Sequence, residues 1–188
     1  MKTKISILLL LVISMVACKT PEARKPVSHN SGSFINESIQ RNKKLIKQEE
    51  DKILNIIHQD STNNYLSSTN GFWYYYNTKV QTDSLLKPQF GDLVTFNYDI
   101  ATLNGNSIYS KDEIGLREYV MDKENLFTGL RQALKLLKEG ETATFLFPSH
   151  KAFGYYGDND RIGRNTPIRS TITLNSIEKI ENENQNNP

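Results

Sequence analysis

The sequence predicts an α+β domain, an antiparallel sheet covered by one short helix, with a long amphipathic helix ahead of it. Three observations predict it. Residues 93–100, 142–148 and 167–180 alternate between apolar and polar side chains, the period of a half-buried strand. One short helical pattern lies among them, with Phe127, Leu130, Leu134 and Leu137 on a single face before Gly140. Residues 36–59 repeat Ile39, Ile46, Ile53 and Ile57 without a Gly or Pro, which is helical spacing. One short helix beside several alternating strands argues that it covers one sheet face.

The N-terminus is organised differently. Met1, Lys2, Thr3 and Lys4 form a positive start, and residues 5–16 are an apolar stretch of secretory-signal length, too short to span a bilayer. The stretch ends in Met15-Val16-Ala17-Cys18, which resembles a bacterial lipobox with cleavage before a Cys that is then acylated. Cys18 is the expected lipidation site, and lipobox processing supplies the multiple acyl chains that stable anchoring requires. Ordinary signal cleavage that leaves a free thiol is the alternative. As the chain has 1 Cys, no intramolecular disulfide forms. The expected organisation is a signal at 1–17, a lipidated Cys and flexible tether at 18–34, the helix and a linker at 35–64, the folded domain at 65–180 and a polar tail at 181–188. The helix stripe packs on its own domain, giving a monomer, or on a second copy, giving a dimer.

Within the domain, residues 65–80 read as a β-hairpin turning at Asn70-Gly71. Its arm Phe72-Trp73-Tyr74-Tyr75-Tyr76 either packs between sheet faces or stacks on bases or sugars. Residues 84–89 are a loop, residues 93–100 a strand, Asn104-Gly105 a turn, and residues 107–110 the start of another strand. Residues 112–118 are polar and read as a loop, as do residues 158–165. A net charge of +2 with scattered basic residues shows no nucleic-acid footprint.

Side chains for conventional catalysis are not grouped. His29, His58 and His150 have no metal-ligand spacing. Asp158-Asn159-Asp160 lacks the remaining ligands of a calcium loop. No phosphate-binding glycine loop follows a strand. Neither a metal nor a cofactor is expected.

The order of residues in the second half is more specific. Leu126-Phe127-Thr128-Gly129-Leu130 leads through the helix to Glu139-Gly140-Glu141, then a strand, then Ala152-Phe153-Gly154. Pro88, Gly91, Asp92 and Val94 precede it, with Asn104-Gly105 between. Over residues 71–180 this pattern resembles the FK506-binding-protein (FKBP) class of peptidyl-prolyl isomerases. The resemblance implies an FKBP-like sheet wrapped on the short helix, with an apolar cup for proline. Tyr98, Phe127, Leu130 and Phe153 are the implied catalytic residues, and Leu130 stands where the family has a floor Trp. Ile108, Tyr109, Leu126, Ile168 and Leu174 are the implied substrate-binding residues, giving the cup an aliphatic rim. Phe127 occupies the position whose backbone N–H binds a substrate carbonyl.

Such chemistry fits the absence of charged constellations. The barrier is rotation about a partial double bond, about 18–20 kcal/mol. The twisted imide has lost resonance and charge separation, so a dry apolar pocket disfavours the planar ground state more. The sequence departs from the family at three places. Tyr109 replaces an Asp, Phe153 replaces a Tyr, and Thr166-Pro167-Ile168 replaces Ile-Pro-Pro. A non-catalytic chaperone or structural module that holds proline segments is the alternative function.

Taken whole, signal, helix and aromatic lead-in strand resemble the gliding-motility-associated isomerase lipoproteins of Bacteroidetes. That resemblance implies a periplasm-facing envelope protein, acting on proline-containing exported polypeptides for a motility or secretion apparatus.

Overall fold

The computed structural model describes residues 31–82 and 86–179. The signal, Cys18, the tether up to residue 30, residues 83–85 and the tail lie outside the described residues. Among the described residues, 31–38 fall in one unit and 39–179 in another. Among the described residues, no helix is long and apolar enough to cross a membrane.

Helix α1 spans Ser31–Gln59, starting five residues before the expected residue 36. Ser31, Gly32 and Ser33 contribute no apolar repeat, so periodicity carries no signal there. Phe34, Ile35 and Ile39 are exposed, Ile46 and Ile57 half-buried, and Ile53 wholly buried.

The expected hairpin is present as β1 (Leu66–Ser67) and β2 (Trp73–Thr78). Its turn closes through the Gly71 N–H on the Ser68 carbonyl, with Gly71 at φ 77, a conformation that favours glycine. Strands β3 (Leu93–Tyr98), β4 (Ile100–Thr102) and β5 (Ser107–Tyr109) follow. Next come α2 (Lys111–Ile114), β6 (Arg117–Val120) and α3 (Thr128–Leu134). Strand β7 (Thr142–Phe147), a 3-10 turn (Ser149–Lys151) and β8 (Ile168–Glu178) complete the domain. The antiparallel order is β1-β2-β7-β8-β3-β6, with β4 also on β8 and β5 on β4.

Two expectations are corrected. The strand expected to run unbroken over 93–100 is interrupted at Asp99. Its carboxylate accepts the Thr171 N–H at 2.6 Å and its carbonyl accepts the Ser170 hydroxyl at 2.7 Å. An Asp competing for ladder hydrogen bonds in this way splits the strand while pairing with β8 resumes beyond it. Residues 112–118, expected as a loop, lie mostly in α2 and β6. Ser110 caps α2 by accepting the Glu113 N–H at 3.2 Å, and Asp112 and Glu113 lie in the first turn, where negative charge is favourable. Strand β6 pairs with β3 alone and leaves Arg117 and Glu118 exposed. A polar edge strand has no apolar alternation to betray it.

The short helix packs against one face of the sheet. Leu130, Ala133, Leu134 and Leu137 are wholly buried among Phe72, Phe96, Phe145, Phe147, Ile172 and Leu174. The aromatic lead-in strand is therefore core, with Tyr74 stacked on Phe145 at 5.4 Å and Phe72 edge-on to Phe147 at 5.2 Å. Close approach depends on Gly129. A Cβ there would lie 2.7 Å from the Phe147 ring and 2.8 Å from the Lys151 carbonyl, so α3 sits directly against β7 and the turn after it.

Alternate residues of β2 and β7 bury the opposite face too. Tyr75 and Leu146 are buried outside the main core, as is Ile53 of α1. Glu49 is 2% exposed and accepts from the Ser149 N–H at 2.7 Å and the Ser149 hydroxyl at 2.8 Å. The second half of α1 is thus joined to the sheet, immediately before the loop that carries Phe153.

Candidate functional site

A cavity of about 420 Å³ opens where β3 passes into β4. Tyr98, Ile100, Ile114 and Phe153 supply its apolar surface, and Tyr109, Glu113, Arg117 and Asp158 its polar margin. Each is placed by local structure. Tyr98 is the last residue of β3 before the Asp99 break, its ring 5.6 Å from Phe96. Burial pushes its phenol pKa up while the Arg117 charge pulls the other way. Phe153 follows the Ser149 turn, where the Ser149 carbonyl accepts the N–H of Ala152 at 3.0 Å and of Gly154 at 2.8 Å. Its ring lies 5.1 Å from Phe127, which lies 5.7 Å from Phe147. An aromatic chain therefore backs the cavity wall.

The polar margin is a bonded assembly. The Tyr109 hydroxyl donates to Asp158 at 2.5 Å and lies 3.1 Å from an Asp160 oxygen. That bond to Asp158, with burial second, pushes the Tyr109 pKa up to about 12. Burial acts to raise the Asp158 carboxyl, but bonds from Tyr109 and the N–H groups of Asp160 and Ile162 outweigh it and hold the pKa below its ordinary value. Arg161 stacks 4.7 Å from the Tyr109 ring centre, donates to the Ile108 carbonyl at 3.0 Å and grips both Glu113 oxygens at 2.6 and 3.0 Å. The Tyr109 hydroxyl thus braces the loop that carries Asp158.

Of the nine implied pocket residues, Tyr98, Tyr109 and Phe153 line the cavity. Phe127 stands behind Phe153. Ile108 and Leu126 are half-buried against the core. Leu130, Ile168 and Leu174 are wholly buried core residues away from the cavity surface. Leu130 packs within the core cluster around Phe145 and Phe147. Glu113, Arg117 and Asp158 stand on the margin of this cavity. Sequence reasoning missed these three, together with Ile100 and Ile114. The run Asp158-Asn159-Asp160 was visible, but its partner Tyr109 lies 49 positions away.

Residues 86–175 match the family described as FKBP-type peptidyl-prolyl cis-trans isomerase. That likeness spans 90 of the 188 residues. The probable FKBP-type peptidyl-prolyl cis-trans isomerase FkpA of Neisseria meningitidis serogroup B is 28% identical over 96 residues, 51% of this chain and 35% of that protein. The match therefore spans about a third of that relative's length. A peptidyl-prolyl isomerase of Pseudomonas syringae pv. tomato superimposes with a TM-score of 0.56 at 19% identity, covering 73% of this chain and 96% of that one. FkpA of Escherichia coli gives 0.56 at 19% identity, covering 92% and 81%. These two structures establish an FKBP fold preceded by a helix.

Proposed function

We propose that this protein is a peptidyl-prolyl cis-trans isomerase of the cell envelope, lipid-anchored at Cys18 and acting on exported polypeptides. The observation that carries the activity is the cavity bounded by Tyr98, Ile100, Ile114 and Phe153 on an FKBP-type domain. A proline ring placed against these side chains leaves bulk water. The planar imide depends on a polar medium for its charge separation, and the twisted imide does so less. Each ~1.4 kcal/mol of that difference is tenfold in rate. The Tyr98 hydroxyl, whose pKa burial pushes above its ordinary value, is available on the cavity surface to donate to a substrate carbonyl.

NMR exchange or protease-coupled assays on X-Pro peptides test this reading. Acceleration over the uncatalysed rate is expected, and its absence sinks the enzymatic claim. The anchor rests on the signal and on Cys18 standing directly behind it. Cys18→Ser should move the protein out of the membrane fraction, and undiminished sedimentation with membranes would refute acylation there. The periplasmic address and a part in gliding motility or secretion rest on the family resemblance of the whole chain. A monomeric soluble form is supported by Ile53, buried within its own unit, while Phe34, Ile35 and Ile39 are the residues a dimer would cover.

One observation favours a second reading, a module that holds proline segments without turning them over. Phe153 offers no hydroxyl, and that of Tyr109 is taken by Asp158, so Tyr98 is the sole hydroxyl on the cavity free to donate to a substrate. Peptide binding without rate acceleration would select this reading.

A further inference from the structure

The cavity margin is unevenly matched. Glu113 is held in a two-point contact by Arg161. Asp158 accepts from the Tyr109 hydroxyl and from two backbone N–H groups, and Asp160 faces Arg161 at 4.0 Å. Arg117 is different. It is the cation lining the cavity, it is exposed, and it forms no ion pair among the described residues. Strand register explains where it points. Arg117 lies opposite Phe96 on β3, and Tyr119 lies opposite Val94. Phe96, Val94 and Tyr119 are all buried, so Arg117 continues the inward face of β6 to the cavity mouth. Its charge is felt at the Tyr98 phenol.

We infer that Arg117 is a specificity-determining residue that favours substrates with a carboxylate side chain adjacent to the proline. The inference rests on the reading of the cavity as the proline site. A peptide laid across that cavity brings its neighbouring side chains to the mouth. A carboxylate there meets an unpaired guanidinium, whose planar donors suit two-point contact. A lysine meets repulsion from Arg117. To reach the acidic wall it must displace Arg161 from Glu113, or approach Asp158, where a hydroxyl and two N–H groups already occupy the carboxylate.

The test uses residues 31–188 and two peptide series, Xaa-Pro and Pro-Xaa, with Xaa as Glu, Gln or Lys. Catalysed exchange and peptide affinity are both measured. Exposed charge pairs are weak, so Glu should exceed Lys by about three- to tenfold in one series, with Gln between. Raising salt should compress the ratio. Arg117→Ala should bring the ratio near unity, Arg117→Glu should invert it, and Arg117→Lys should retain part of it. Circular dichroism checks that each variant is folded. A wild-type preference for Lys, equal use of all three, or a ranking unaltered in Arg117→Ala and Arg117→Glu would overturn the inference while leaving isomerisation intact. If no peptide is accelerated, the isomerase reading fails and the affinities decide the inference by the same ranking.

Discussion

Removing the carboxylate of Glu49 should loosen the long helix from the sheet. Glu49→Ala deletes the acceptor of two short hydrogen bonds, from the Ser149 N–H at 2.7 Å and the Ser149 hydroxyl at 2.8 Å. Both groups lie in a residue that is 2% exposed, so water does not readily replace the lost oxygens. A hydrogen bond to a charged group is worth roughly 1.5–3 kcal/mol, and stranding a buried donor costs about 1–3 kcal/mol. The two contacts share one carboxylate and one residue, so their losses overlap, and about 2–4 kcal/mol is expected in total. With a urea slope of about 2 kcal/mol/M, the midpoint should fall by roughly 1–2 M. Ser149→Ala retains the N–H contact and should lose about half as much. A double-mutant cycle between the two should return a coupling of about 1 kcal/mol or more. Catalysis should fall as well, because the Ser149 carbonyl holds the N–H groups of Ala152 and Gly154 on either side of Phe153. A midpoint within about 0.3 M of wild type, or strictly additive substitutions, would refute the docking argument.

Leu130→Ala should cost about 2–5 kcal/mol of stability, as a wholly buried Leu facing Phe and Leu neighbours. Denaturation should reveal it, with a smaller change in the activity of the folded fraction. Phe153→Tyr places a hydroxyl at the cavity wall. Turnover should rise severalfold, in line with a neutral hydrogen bond of about 0.5–1.5 kcal/mol, and unchanged turnover would mean that position 153 does not meet the substrate backbone. The bond between Tyr109 and Asp158 should give a two-sided pH dependence, read as the urea midpoint of wild type minus that of Tyr109→Phe. The depressed Asp158 value makes its contribution present above the ordinary 3.8 and lost as pH falls through the lower folded value. The raised Tyr109 value makes its contribution present below 10.0 and lost as pH climbs through about 12. Gly129→Ala should destabilise by about 1–3 kcal/mol, because the Lys151 carbonyl cannot yield as a side chain could.

The fold was legible wherever burial imposes a period. Strands β3, β7 and β8 and helix α3 each carry apolar residues at the spacing their buried faces require, and Gly71, Gly105 and Gly140 mark chain reversals with positive φ. Strand β6 was invisible because an edge strand with exposed Arg117 and Glu118 has little apolar face to repeat. Helix α1 was seen, but its attachment was not, since Glu49 looks like any solvent-facing charge until Ser149 comes into place 100 residues later. The site was legible in part for the same reason. Tyr98 and Phe153 lie within recognisable sequence patterns. The bracing of Tyr109 by Asp158 and of Glu113 by Arg161 is a meeting of distant loops, which no local pattern encodes. Leu130 is wholly buried in the core, so its exposure alone assigns it no part in the cavity surface.

Among the described residues the sheet ends in β1 with 2 residues on one side and in β6 with 4 and β5 with 3 on the other. An unfolded chain that sought to extend this sheet would find almost no ladder at one side and a charged, truncated one at the other. Strand addition gains its free energy from successive backbone pairs, and these short outer strands supply few of them. Short edges of this kind disfavour edge-to-edge pairing. A chain that meets these edges finds few backbone groups in a row to pair with, which lowers the tendency of the domain to seed aggregates.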